Sequence, residues 1–131
     1  MSADIDLFPR GRESAEINAV IAAQCGVGSE FEDENGFSVE AVGRWTLSTA
    51  LPDWEERLVK VESLAGVVGW CLSALDLAVV KLDAAREKDL RYVQEMLRAG
   101  IVRREEILAA TAQCEPWFHD KIAENLAGLP R

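Results

Sequence analysis

Leu72-Ser73-Ala74-Leu75-Asp76-Leu77-Ala78-Val79-Val80-Lys81-Leu82 marks the point where the hydrophobic period of the chain changes from two to 3.6. From Leu75 onward the apolar residues recur at helical spacing, and Leu75, Ala78, Val79 and Leu82 share one stripe. Ser73 and Asp76 stand three apart at its start, the spacing of a capping box, in which an N-cap oxygen accepts from the N–H three residues on. Downstream, Leu90, Val93 and Leu97 form the stripe of a second helix that ends at Gly100. A third helix, about Arg103 to Gln113, turns Ile107 and Leu108 inward. Pro116 suits a first helical turn and opens a short last helix carrying Phe118, Ile122 and Leu126.

Upstream the reading is of strands. Arg57 to Glu62 and Val67 to Leu72 are two strand candidates joined at Leu64-Ala65-Gly66. Thr46 to Asp53 reads as loop, and Glu30 to Asn35 as an acidic stretch ending in the Asn35-Gly36 turn. After that turn Phe37, Val39 and Ala41 alternate with Ser38, Glu40 and Val42, a second strand. A helix of roughly Glu13 to Gln24, with Ile17, Val20 and Ile21 at helical spacing and Gly26 as C-cap, follows the first strand. That strand is Asp4 to Phe8, stopped by Pro9, with Arg10 and Gly11 turning the chain away. The order is β-α-β-β-β followed by three or four helices. It predicts an α/β (α+β) fold with a mixed sheet and a helical C-terminal layer. At 131 residues the chain has the size of one domain, 1–131, with a sub-boundary expected near 72–73.

Charge narrows the function classes. A formal net charge of −9 argues against an extended grip on nucleic acid, which needs a cationic surface. It leaves room for one nucleotide held through a metal ion, because a metal needs the carboxylates that repel phosphate. Cys25, Cys71 and Cys114 are too dispersed for a disulfide framework or a metal pair and read as buried core thiols. The most apolar region, Leu64 to Leu82, is interrupted by Gly66, Gly69, Asp76 and Lys81, so no membrane span is expected. The start carries no basic segment leading into an apolar run, and the expected location is cytoplasmic.

Asp4-Ile5-Asp6 carries the most chemistry. On a strand, residues two apart face the same side, so both carboxylates point one way while Ile5 is expected to enter the core. Like charges so close are relieved by a divalent cation, and Mg²⁺ takes carboxylate oxygens together with substrate phosphates. Glu40 on the second strand adds a third carboxylate if the two strands are neighbours. An alternating solvated strand face accounts for the same residues without chemistry.

Several blocks taken together resemble a known family. They are Ser2-Ala3-Asp4-Ile5-Asp6-Leu7-Phe8-Pro9, Gly36-Phe37-Ser38-Val39-Glu40, Leu51-Pro52-Asp53-Trp54-Glu55-Glu56-Arg57-Leu58-Val59, Leu72 to Leu82, and Arg86-Glu87-Lys88-Asp89-Leu90. Over nearly the whole chain they resemble an uncharacterised bacterial family of the nucleotidyltransferase superfamily, related to the polymerase-beta-like palm and to toxin–antitoxin transferases. The resemblance implies that Asp4, Asp6 and Glu40 hold catalytic Mg²⁺ or Mn²⁺. It also implies that Lys81, Arg86 and Lys88, in the helical layer, meet the triphosphate. A salt-bridged solvated face is the other reading of that basic cluster, with Arg86 and Asp89 spaced to pair and Lys81 and Lys88 sharing a face if one helix runs through. The superfamily also carries a Gly-Ser before its Asp-x-Asp. Here three residues precede Asp4 and Gly28-Ser29 follows it, so a shortened fold is expected.

Two functions follow. The first is Mg²⁺-dependent transfer of a nucleotide from a nucleoside triphosphate to a hydroxyl of a protein or RNA acceptor. The second is a non-catalytic protein-binding or regulatory module in a toxin–antitoxin setting. A homodimer with Ile5, Leu7 or the following helix at or near its interface is expected, because an open strand edge invites pairing. Trp45, Trp54, Trp70 and Trp117 read as packing anchors, His119 as a surface residue, and Glu55 and Glu56 as surface groups or partners for Arg57.

Overall fold

The computed structural model describes residues 4–8, 15–43, 47 and 50–131, with Asp4 described through its backbone alone. Pro9, the Arg10-Gly11 turn, the expected helix start at Glu13 and Trp45 lie outside the described residues. Two compact units divide the chain, Met1–Ser48 and Thr49–Arg131.

In the first unit, β1 (Asp4–Leu7) and β2 (Ser38–Ala41) form a parallel pair, and the Val42 N–H donating to Leu7 O at 2.9 Å extends the ladder. A parallel pair needs a crossover of a dozen or more residues, and α1 (Ala15–Cys25) lies in it and packs on β2. The acidic stretch Glu30–Asn35 is itself a helix, α2, where the sequence reading has none. Its ends explain why. Ser29 Oγ accepts from the Glu32 N–H at 3.2 Å, and Gly36, at φ 79°, donates to Glu32 O at 2.8 Å. Glu30, Glu32 and Asp33 sit in the first turn, where carboxylates are favoured by the helix dipole. Phe31 and Phe37 stack edge to face at 5.2 Å between ring centroids.

The second unit holds a hairpin and four helices. The strands β3 (Val59–Glu62) and β4 (Val68–Cys71) pair antiparallel after a 3-10 turn over Trp54–Arg57. The mixture of parallel and antiparallel pairing is present, but as two separate two-stranded ladders among the described residues. The helices are α3 (Ala74–Ala84), α4 (Glu87–Arg98), α5 (Arg104–Thr111) and α6 (Pro116–Ala127). They bury the residues expected from their stripes, Ala78, Val79 and Leu82 on α3 and Phe118, Ile122 and Leu126 on α6. On α4 the buried pair is Val93 and Met96, with Leu90 and Leu97 packed at the margin. Arg104 donates to Leu126 O at 2.6 Å and to Leu129 O and Pro130 O at 3.0 Å, tying the last turn of α6 and the residues after it to the start of α5.

Several expectations are corrected. Ile5 is 50% exposed and does not enter the core, and Cys25 and Cys114 are half-buried. Trp70 and Trp117 are 47% and 63% exposed and do not anchor the core. Cys71 is exposed rather than buried, because both strands of its hairpin are exposed throughout. His119 is half-buried, with Nδ1 2.8 Å from Thr111 Oγ1, so α6 turns it toward α5 instead of toward solvent.

Candidate functional site

The first group of candidates lies on the parallel ladder. Its register sets Asp4 opposite Ser38, Ile5 opposite Val39, Asp6 opposite Glu40 and Leu7 opposite Ala41. Partner positions on adjacent strands share a face of the sheet at about 4.8 Å between strands, so Asp6 and Glu40 are neighbours. Both are exposed. Asp4 holds the register position opposite Ser38, and its side chain lies outside what is described. Among the described residues, three or more His, Cys, Asp or Glu side chains do not come together as a metal site. Ser29 of the Gly28-Ser29 pair is occupied as a cap: its hydroxyl donates to Gly26 O at 2.6 Å and accepts from the Glu32 N–H.

The second group lies at the junction of α3 and α4. The helix does not run through: Ala85 takes the left-handed conformation (φ 52°, ψ 24°), and its N–H closes α3 on Lys81 O at 2.9 Å. Lys81 and Lys88 therefore belong to different helices, and the shared face that one continuous helix would give them does not form. What gathers the basic residues is Asp89, in the first turn of α4 and 1% exposed. It accepts from Arg86 Nε at 2.6 Å and Nη2 at 3.3 Å, and from Lys81 Nζ at 3.4 Å. Burial alone pushes the Asp89 carboxyl upward, but the Arg86 hydrogen bond and the charges of Lys81 and Arg86 hold it below the usual carboxylate range. Lys81 also stands 4.7 Å from the centroid of the Tyr92 ring, within range of a cation–π contact. Arg86, Glu87, Lys88 and Arg91 line an open depression of about 380 Å³.

The i,i+3 spacing reveals the Arg86–Asp89 pair, whereas the Lys81 contact depends on the chain reversing at Ala85, a residue with no turn preference to announce it. The cluster can present several cations at fixed positions. Asp89 cancels part of their charge and fixes their geometry.

A third charged group joins two of the blocks that carry the family resemblance. Asp76 is fully buried on α3 and accepts from Arg57 Nε at 3.0 Å and Nη2 at 2.8 Å. Arg57 Nη2 also donates to Pro52 O at 2.8 Å. Ser73 completes the arrangement, its Oγ accepting from the Asp76 N–H at 3.1 Å while its hydroxyl donates to the Asp76 carboxylate. Arg57 is thus partnered by Asp76, nineteen residues on, and not by the adjacent Glu55 or Glu56. A forked guanidinium on a buried carboxylate is a fastening between the segment before the hairpin and the first helix after it.

Among the described residues no helix is long and apolar enough to cross a membrane. No curated protein and no solved structure matches the chain. Residues 1–112 match the family described as nucleotidyltransferase of unknown function (DUF6036), and the chain belongs to that family.

Proposed function

We propose that the chain takes part in divalent-metal-dependent transfer of a nucleotide from a nucleoside triphosphate to a hydroxyl of a protein or RNA acceptor. Family membership supports the reaction class, and the observation that carries the reading to particular residues is the Asp6–Glu40 pairing in the parallel ladder. The donor chemistry fits Mg²⁺ or Mn²⁺, since exposed carboxylates supply hard oxygens and leave the remaining positions to water and phosphate. Asp4, Asp6 and Glu40 would hold the ion, which when bound neutralises charge on the reacting phosphate. Glu40 either shares in that binding or accepts the acceptor hydroxyl's proton on a carboxylate oxygen. In the second unit, taken by itself, Lys81, Arg86 and Lys88 are the residues that the family resemblance assigns to phosphate, and Asp89 holds the first two in place.

The competing reading is a non-catalytic protein-binding or regulatory module linked to a toxin–antitoxin system. Its specific support is the partial neutralisation of Lys81 and Arg86 by Asp89. A Mn²⁺ titration followed by water relaxation separates the two. On the enzyme reading the unmodified chain binds Mn²⁺, and Asp6→Asn combined with Glu40→Gln weakens binding about tenfold or more. Equal binding by both proteins refutes the assignment of the site.

A further inference from the structure

The hairpin of the second unit has an open edge whose groups complement their own copy. Opposite residues in this antiparallel ladder alternate between pairs that exchange backbone hydrogen bonds and pairs that do not. The Ser63 N–H donates to Val67 O at 2.9 Å, and the register continues through Val61↔Gly69 and Val59↔Cys71. Ser63, Val61 and Val59 therefore direct their N–H and C=O toward β4. Lys60 and Glu62 direct theirs outward, where no described strand pairs with them. Their side chains are exposed, 52% and 54%, and stand 3.8 Å apart as a loose ion pair along the strand that water screens, and flanking Val59 and Val61 are exposed as well.

We infer that the outer edge of β3 is a self-pairing edge, joining two copies of this chain as antiparallel strands about a two-fold axis at Val61. That register sets Val61 against its own copy and Lys60 against Glu62 of the other copy, on both sides of the axis. Lys60 and Glu62 are the residues with outward backbone groups, so each of the two pairs exchanges two backbone hydrogen bonds. Each also places opposite charges directly across the strands, an arrangement that stabilises a ladder. Registers centred on Lys60 or Glu62 bring like charges face to face. The charges that ordinarily protect an edge here select one pairing.

Sequence reasoning places a homodimer around Ile5 and Leu7, which are 50% and 43% exposed on β1. That strand lacks the complementarity. Antiparallel copies centred on Ile5 oppose Asp4 to Asp6, and copies centred on Asp6 oppose it to itself. The β3 edge is short and its interface small, so the association is weak and depends on concentration.

The test is charge reversal read by sedimentation equilibrium, on chains checked by circular dichroism for unchanged fold. Lys60→Glu or Glu62→Lys alone turns both cross-strand pairs into like-charge pairs, and each weakens association about tenfold or more. The double variant K60E/E62K restores the opposite charges with the sign exchanged and returns association to within about threefold of the unmodified chain. The inference is overturned by a monomer at every concentration, by single reversals without effect, or by a double variant as weak as the singles. It is equally overturned if association resists the β3 changes and is lost on Leu7→Asp, which places the contact on β1. None of these variants touches Asp6 or Glu40, so failure here leaves the metal reading standing.

Discussion

Asp89→Asn is the most informative single change, because a carboxylate with 1% exposure is held by two cations of unequal exposure. Asparagine keeps the shape and one acceptor oxygen, so the loss is mainly that of charge. Hydrogen bonds to charged groups contribute about 1.5–3 kcal/mol each, but Arg86 is 63% exposed and its share is screened by water. Lys81, 25% exposed, is screened less but sits at the longer distance of 3.4 Å. These considerations put the expected loss near 2 kcal/mol at neutral pH. The sign of the pH dependence follows from the depressed carboxyl. A group whose folded pKa lies below its unfolded value stabilises the fold above the unfolded pKa. That contribution is lost as pH falls through the folded pKa. The stability difference between the unmodified chain and D89N should be full at neutral pH and shrink steadily as acid takes the solution below the usual carboxylate range. Urea titrations at a series of pH values measure it. A difference that stays constant with pH, or that is under about 0.5 kcal/mol at pH 7, would refute an electrostatic role for Asp89.

Arg57→Ala strips a fully buried carboxylate of its cation, and breaking such pairs is strongly destabilising. With Arg57 36% exposed, a loss of about 2–3 kcal/mol is expected in thermal or urea unfolding, and R57K recovers part of it because lysine cannot reproduce the fork. Ala85→Gly removes the steric cost of a left-handed Cβ at the end of α3 and should raise stability by about 0.5–1 kcal/mol in the same assay. A destabilised A85G would show that the Cβ makes packing contacts worth more than the strain.

The linear sequence settled what depends on neighbours a few residues away. Ser73 caps α3, Pro116 opens α6, and apolar residues at helical spacing on α3 and α6 are the ones buried. These follow from side chains that reach their own backbone and from faces repeated every turn. Alternation around Ile5 and Val39 likewise marked both strands, and the candidate carboxylates with them. Tertiary structure decided which of those positions meet. Asp6 faces Glu40 because β1 and β2 pair in one particular parallel register, which no local signal encodes. Arg57 gives its forked hydrogen bonds to Asp76, since a buried carboxylate needs a cation more than a solvated one does. Lys81 joins Arg86 on Asp89 only because the chain reverses at an alanine. The hairpin strands carry the residues of a core and yet stay exposed, because alternation shows that a strand has two faces and not whether anything covers them.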